Sequence, residues 1–303
     1  MSTRAAALVS GRTLRYAEVV AGPDGPRLRR LGAADFETDV ERAVFHGGDP
    51  AAVQAVAAAL AEGLGGTEAQ ALVLAVHPTA TTSFFTPLPA GLPAEIREGQ
   101  IRQETALLAD LAPTQAVRVR AALVRTEPRP EGDREWFHVV HVDEPVHARL
   151  AQLADALALS AYDVADTTRA VAAVATPPGT TDRSAKPANG TGPDLVVGVY
   201  GSHTEVAVVR DGAFLFGTHG QSTAPADTAY FALAALQRSG ADASSLDRLL
   251  VYGDDATPER LGLTAEFAGA APQPLDPFTP FGRRPDADAA ELAAFGPVLG
   301  VAL

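Results

Sequence analysis

The chain has 303 residues, of which 47% are hydrophobic, a formal net charge of −13 and no cysteine. A chain of this length and hydrophobicity can bury the core of two domains or of one large one. The absence of thiols excludes disulfide scaffolds and thiolate metal sites, and the acidic charge disfavours binding to nucleic acid or to anionic membrane surfaces.

Hydrophobic residues are spread along the chain and form no long run. No segment approaches the ~18 consecutive apolar residues that a membrane-spanning helix needs. The first residues, Met1-Ser2-Thr3-Arg4, lack the apolar stretch of a signal peptide. We therefore expect a soluble, cytoplasmic protein that does not insert into a membrane and that reaches the inner face of one only through its partners.

The first part of the chain predicts a β-sheet and a helix. Residues 6–20 form an apolar segment, a turn at Ser10-Gly11 and an alternating segment, which is the pattern of a β-hairpin. Asp49 followed by Pro50 predicts a helix start, because the carboxylate can cap free N–H groups and proline needs no donor there. The expected elements are the hairpin, a third strand near 27–31, a helix over 50–64 and a strand over 71–76.

A separate small unit is predicted at residues 79–142, in the order strand, helix, strand, strand. Its expected elements are a strand ending near 88, a helix over 94–111 and strands over 116–125 and 136–142. Two helices over 146–157 and 164–174 then complete a first domain that spans residues 1–175.

Residues 176–193 contain no apolar side chain larger than that of alanine or proline. With so little to bury, this segment predicts a flexible linker that trypsin should cut near Arg183. A second domain is expected over 194–303. Its expected elements are a hairpin over 195–209, a strand over 213–217, a helix over 227–238, a strand over 248–252, a helix from 258 capped by Thr257, a strand or turn at 272–275 and a closing helix from about 286.

The hairpin that opens the second domain repeats the pattern of the first one. Each is an apolar strand, a turn with glycine and a hydroxyl residue, and a second alternating strand. The motifs beyond the hairpins are Leu14-Arg15-Tyr16-Ala17-Glu18-Val19, Leu72-Val73-Leu74-Ala75-Val76-His77-Pro78 with the segment 82–89, Leu249-Leu250-Val251-Tyr252-Gly253, Leu275-Asp276-Pro277-Phe278 and the closing segment 295–303.

This arrangement resembles the actin-like superfamily, in which hairpins of two lobes grip the phosphates of ATP. Within it, the motifs are similar to those of the PilM-like proteins of type IV pilus assembly and of their FtsA-like and GspL-like relatives. The resemblance implies an α/β fold with two duplicated, ribonuclease H-like lobes. It also implies that the unit at 79–142 is the small inserted α+β subdomain of PilM-like and FtsA-like proteins.

The resemblance implies a nucleotide cleft, marked here by Ser10, Gly11, Gly201, Ser202, Thr204 and Gly253. Catalysis in such a fold needs acidic residues that position Mg²⁺ and water, but Leu8 and Val199 stand at the matching positions. Asp254 and Asp255 add two negative charges on the adenosine side. We therefore expect a vestigial cleft with no catalytic residue and no cofactor, and ATP with Mg²⁺ is a disfavoured ligand.

Two other groups of reactive residues predict neither a metal site nor a catalytic pair. His138, His141 and His147 lie close in sequence, but residues three apart on a strand face opposite sides and Pro145 breaks the register to His147, so we expect no metal site. Ser202-His203 lies between two strands and lacks a Gly-x-Ser-x-Gly elbow. Since adjacent residues in a turn seldom point at one another, we expect no hydrolase pair.

The sequence favours a nonenzymatic adaptor of a cytoplasmic assembly platform, of the type IV pilus or type II secretion kind, that binds the tail of a partner protein. Two alternatives stay open: a divergent ATP-binding phosphotransferase or ATPase, and an actin-like protein with an unrelated role. The partner is a protein, either the cytoplasmic tail of a membrane protein or another copy of this chain, and not a nucleic acid.

By resemblance, the partner groove lies between the first lobe and the inserted subdomain. The candidate lining residues are apolar and could equally form the core of the insert: Phe84, Phe85, Leu88, Ile96 and Ile101.

Overall fold

A computed structural model describes residues 2–47, 49–112, 118–175 and 192–303 of the chain. The strands are β1 (Ser2–Ser10), β2 (Thr13–Gly22), β3 (Gly25–Asp35), β4 (Leu72–Val76), β5 (Thr82–Pro89), β6 (Val119–Glu127), β7 (Arg134–His141), β8 (Tyr162–Asp166), β9 (Asp194–Val199), β10 (Thr204–Arg210), β11 (Ala213–Gly220), β12 (Arg248–Tyr252) and β13 (Pro272–Pro274). The helices are α1 (Val40–Phe45), α2 (Pro50–Leu64), α3 (Ala94–Leu108), α4 (Glu144–Asp155), α5 (Thr167–Val174), α6 (Pro225–Ser239), α7 (Pro258–Ala268), α8 (Ala289–Ala293) and α9 (Gly296–Ala302).

The two large sheets have the same topology. Their strand orders are β3-β2-β1-β4-β8 and β11-β10-β9-β12-β13. In each sheet the first three strands form an antiparallel meander, and the last two run parallel to the strand that opens the lobe. The duplicated α/β lobes predicted from the two hairpins are therefore confirmed. We call residues 2–175 the first lobe and residues 192–303 the second lobe.

Alternation along the strands divides the core into layers. In β1, Leu8 faces a central core between the two sheets, whereas Val9 faces an outer core with α1, α2 and α4. In β9, Val196 faces the same central core and Val197 faces an outer core with α6 and α7. Each sheet is thus covered on its outer face by its own helices, and the two lobes share one apolar layer.

Two helices in the shared layer touch backbone to backbone. A methyl group added at Gly300 of α9 would lie 2.0 Å from the carbonyl oxygen of Ala170 in α5. Only glycine permits so close an approach. Because α5 ends the first lobe and α9 ends the second, this contact joins the two halves of the molecule.

The inserted unit is a three-stranded antiparallel sheet of order β5-β7-β6. On one face, Leu88, Phe137 and Val139 pack with Ile101 of α3 to form a small core. On the other face, Phe85 stacks on His138 and on Phe216 of β11. The insert therefore has its own core and also rests against the second lobe.

Several predicted elements differ in the structure. The helix predicted from about 164 begins later, because residues 162–166 pair in parallel with β4 as the strand β8, and α5 begins only after its cap Asp166. The closing helix is two short helices, α8 and α9, and a proline lies in the first turn of α9. The short helix α1, capped by Asp39, was not predicted.

Most of the predicted linker, residues 176–191, lies outside the described residues. Its last residue, Pro193, accepts a hydrogen bond from the Asp247 N–H at 3.0 Å, so it already belongs to the second lobe.

Candidate functional site

The turn of the first hairpin faces the cleft between the lobes and holds a carboxylate of the chain itself. Gly11 has φ +56° and donates its N–H to Glu41 Oε2 at 2.6 Å. The Glu41 N–H returns a bond of 3.0 Å to the Gly11 carbonyl. Helix α1 thus places an internal anion on the backbone that the resemblance assigned to phosphate.

The turn of the second hairpin is built from Tyr200, Ser202 and His203. The Tyr200 N–H donates to the His203 carbonyl at 3.0 Å, and the two rings stack. The expectation that Ser202 and His203 do not point at each other is wrong, because Ser202 Oγ lies 2.9 Å from His203 Nδ1. The tight turn closes this contact within one dipeptide.

Glu205 of β10 lies at the base of the cleft and joins the two lobes. It is fully buried, and its Oε1 accepts hydrogen bonds from His77 Nδ1 at 2.7 Å, Thr167 Oγ1 at 2.7 Å and His203 Nε2 at 3.1 Å. Its Oε2 accepts from the Tyr252 hydroxyl at 2.7 Å. His77 and Thr167 belong to the first lobe, so the carboxylate bridges both halves.

The charges of this network are strongly coupled. Burial alone would lower the pKa of His77, but the attraction of the Glu205 carboxylate and its hydrogen bond leave that pKa above its ordinary value. Burial would raise the pKa of Glu205, but His77 and His203 outweigh burial and hold it well below its usual range. Burial and then Glu205 raise the pKa of Tyr252 far above the ordinary value for tyrosine. In the folded protein, His77 thus keeps its proton to a higher pH than a free histidine does, and Glu205 keeps its negative charge to a lower pH than a free glutamate does.

Ion pairs close the side of the cleft that the resemblance assigned to adenosine. Arg15 Nη2 of β2 binds Asp254 Oδ1 at 2.5 Å, and Arg260 Nη1 lies 3.5 Å from Asp255 Oδ2. Both aspartates therefore have an arginine partner, which the sequence analysis did not predict. Arg15 and Asp254 also connect the lobes, since they come from β2 and from the turn after β12.

The remaining predicted cleft residues mostly contact the chain's own backbone or lie buried. Ser10 is buried at the end of β1, and Thr204 Oγ1 donates to the Ser222 carbonyl at 3.0 Å. Gly201 is exposed beside Asp255. Gly253 has φ +96°, and a methyl group there would lie 2.4 Å from the Val199 carbonyl oxygen.

Sequence reasoning missed the residues that fill the cleft, namely His77, Glu205 and Tyr252. One signal was available, since Glu205 is a carboxylate directly before the apolar segment Val206-Ala207-Val208-Val209 of a predicted strand. A charged residue in a buried strand needs a partner. Nothing local shows that the partner is His77.

Within the described residues, one histidine and glutamate group, His77, His203 and Glu205, brings three potential metal ligands within reach of each other. The hydrogen bonds to Glu205 already account for that arrangement.

The histidines that lie close in sequence in β7 do not come together. His138 stacks on Phe85, while His141 Nδ1 donates to the Arg118 carbonyl at 2.8 Å. These two histidines thus face different neighbours, as the strand period predicts.

The chain has a groove between the first lobe and the insert. Its cavity is about 320 Å³, and segments 118–120 and 160–164 form its two long sides. In the described sheets, β6 and β8 are each the last strand of their sheet. Arg120 Nε binds Asp163 Oδ1 across the groove at 2.5 Å. The groove therefore lies between two open strand edges.

A second groove, of about 480 Å³, lies between the insert and the second lobe. Phe84 and Phe85 line this groove, not the one against the first lobe, which corrects their predicted position. Leu88 and Ile101 are buried in the core of the insert, and Ile96 is 50% exposed on α3. Leu88 and Ile101 therefore pack within the insert, and Phe85 packs against β11.

Among the described helices, none combines the length and apolar character needed to cross a bilayer. No protein-family model matches the sequence, and no curated protein is significantly similar to it.

The fold is similar to that of solved actin-like proteins. The chain of a PilM-PilN type IV pilus biogenesis complex is 17% identical, with 99% of this chain and 97% of that one covered and a TM-score of 0.68. A Bacteroides thetaiotaomicron protein with an actin-like ATPase fold and unknown function is 11% identical over 89% and 90% of the chains, with a TM-score of 0.49. The cytoplasmic domain of Vibrio cholerae EpsL, an inner-membrane component of the type II secretion system, is 12% identical over 90% and 98%, with a TM-score of 0.45. The chain has the actin-like fold.

Proposed function

We propose that this protein, with its actin-like fold and its likeness to PilM over nearly the whole chain, is a nonenzymatic adaptor that holds an extended segment of a partner protein. The observation that carries the proposal is the groove between β6 and β8, where two strand edges face one cavity. The adaptor belongs to a cytoplasmic assembly platform, and the partner segment is the cytoplasmic tail of a membrane protein.

The state of the interlobe cleft supports an adaptor that works without nucleotide. His77, Tyr200 and Tyr252 fill its base with side chains that are at most 4% exposed. Glu41 occupies the first hairpin, and Arg15 is paired with Asp254. A triphosphate would have to displace these contacts and would meet carboxylates where it needs donors.

The groove has the chemistry of strand addition. Consecutive residues of β8, whose side chains alternate in direction, all line it, which means that the backbone edge itself borders the cavity. An extended peptide can hydrogen-bond to such an edge through its main chain, while pockets read alternate side chains. Arg118 and Arg120 stand on the opposite side, where Arg118 pairs with Glu144 at 3.2 Å and Arg120 pairs with Asp163, so recognition depends on the main chain of the segment and not on its charge.

The comparison supports the proposed class of partner. The similar PilM chain is described in a complex with PilN in type IV pilus biogenesis. We carry over to this chain only the arrangement, an actin-like subunit that receives a segment of a second assembly component. The contact between Ser202 and His203 does not favour a hydrolase, because His203 is fully buried and out of reach of a substrate.

The test is binding of synthetic cytoplasmic tails of the membrane proteins encoded beside this gene, measured by calorimetry. Ala161 is exposed at the rim of the groove, so Ala161→Trp should fill the groove and weaken tail binding at least tenfold without unfolding the protein. Ala33→Trp is the matched control, since Ala33 is exposed on β3 at the opposite edge of the same sheet. Tail binding that is equal in both variants would refute the groove.

A further inference from the structure

We infer that the groove between β5 and β11 is a second binding site and that its ligand is an extended acidic peptide segment of another protein. It is separate from the groove between β6 and β8, because the two grooves share no lining residue. The inference does not depend on the proposed function.

The shape of the groove favours an extended chain. Residues 215–219 of β11 and residues 83–85 of β5 line it as unbroken runs. Neighbouring side chains in a strand point to opposite faces, so an unbroken run means that the strand edge borders the cavity. In the described sheets, β5 and β11 are both terminal strands, and their outward N–H and C=O groups have no strand partner. A peptide strand can pair with either edge.

The charge of the groove favours an acidic ligand. Arg125 and Arg238 line it, and neither has an acidic side chain within ion-pair distance among the described residues. The nearby Glu127 is already engaged, because its Oε1 binds Arg129 at 2.7 Å and its Oε2 accepts from the Trp136 indole N–H at 2.8 Å. Arg125 and Arg238 therefore give this groove a positive charge, although the chain as a whole has a net charge of −13.

The remaining surface of the groove is aromatic. Phe84, Phe216 and Trp136 line it together with the two arginines. The Arg125 guanidinium lies over the Trp136 ring, 5.0 Å from its centroid, which holds this cation in place at the mouth. Such a surface suits a peptide that alternates carboxylates with apolar side chains. At ~3.3 Å per residue, the five residues of β11 match a segment of about five or six residues.

Trp136 is the only tryptophan of the chain, so its fluorescence reports on this groove directly. The probe is a pool of synthetic capped hexapeptides in which glutamate alternates with valine, threonine or phenylalanine, and the control pool has lysine in place of glutamate. We expect a saturable fluorescence change with the acidic pool only. Arg125→Glu and Arg238→Glu should each weaken binding at least tenfold, and Arg125→Glu should gain binding of the lysine pool.

Arg284→Glu is the matched control, because Arg284 is exposed and does not line the groove, and it should bind like the wild type. Circular dichroism melts verify that each variant is folded. The inference is overturned if no acidic peptide gives a saturable change up to about 1 mM, or if acidic and basic pools bind alike. It is also overturned if the arginine variants bind normally, or if a nucleotide saturates the signal where peptides do not.

Discussion

At the scale of single residues, Glu205 decides how the lobes meet. A buried carboxylate costs several kcal/mol unless hydrogen bonds replace its water. Here His77, Thr167, His203 and Tyr252 all donate to it. Two of these donors come from each lobe. Loss of any one therefore removes a hydrogen bond from the buried Glu205 carboxylate and weakens the contact between the lobes.

The His77–Glu205 pair predicts a pH-dependent stability. The raised pKa of His77 contributes stability below its unfolded pKa of ~6.5, and this is lost as the pH rises through the folded pKa. The lowered pKa of Glu205 contributes stability above ~4.5, and this is lost as the pH falls through the folded pKa. The pair therefore stabilises the protein most between about pH 4.5 and 6.5.

His77→Asn should reduce the free energy of unfolding by about 3–5 kcal/mol near pH 6 and by clearly less near pH 9, measured by urea denaturation. His46→Asn is the control, since His46 is exposed and should show no such trend. A deficit for His77→Asn that is constant from pH 6 to 9 would contradict a charged pair.

Two isoleucines of α3 differ in burial and so test whether the insert has its own core. Ile101 is 3% exposed in the core of the insert, and Ile96 is 50% exposed on the same helix. Ile101→Asp should cost several kcal/mol, because it buries an unpaired charge and removes apolar contact. Ile96→Asp should change stability by less than about 0.5 kcal/mol. Thermal melts of the two variants test this, and similar melting temperatures would refute the core of the insert.

At the scale of elements, the molecule depends on close contact between α5 and α9. The two helices lie between the sheets and pack through Ala170 and Gly300. Helices that approach this closely need small residues at the crossing. The contact also explains why the last residues of the chain are buried, with Val298 and Leu299 fully inside the central core.

Gly300→Ala should destabilise the protein by about 1–3 kcal/mol, because the new methyl group overlaps the backbone of α5 and forces the helices apart. Gly262→Ala is the matched control, since Gly262 lies inside α7 with open space around it. That control should gain about 0.5–1 kcal/mol from helix propensity. Urea denaturation measures both, and an equal gain in both variants would show that α5 and α9 are not in backbone contact.

At the scale of the whole molecule, three sets of contacts join the two lobes. The central core, the Glu205 network and the Arg15–Asp254 pair all span the lobes. Buried side chains fill the base of the cleft, whereas the two grooves beside the insert are open.

ATP with Mg²⁺ at millimolar concentration should therefore raise the melting temperature by less than about 1 °C. A ligand at 100 times its dissociation constant would add roughly 2.7 kcal/mol and several degrees, so binding would be easily detected by differential scanning fluorimetry. AMP is the control for nonspecific effects. A rise of several degrees with ATP that AMP does not reproduce would favour the alternative of a divergent ATP-binding enzyme.

The sequence by itself determined the elements and the duplication. The strand Arg248–Tyr252 and the start of α7 at Pro258 after Thr257 follow from local pattern and capping chemistry, and the structure confirms both. The two opening hairpins predicted the paired lobes. These features depend on residues a few positions apart, where side-chain period and backbone preference decide the outcome.

Only the tertiary structure determined which residues come together in the cleft and in the two grooves. His77 and Glu205 are 128 residues apart in sequence, and nothing near either one specifies the other. Tyr162–Asp166 is a strand because β4 offers it an edge, although its composition is also compatible with a helix. Both grooves lie between strands that are distant in the chain, β6 with β8 and β5 with β11. Such contacts arise from how whole layers pack, and a one-dimensional pattern of polar and apolar residues does not specify which surfaces meet.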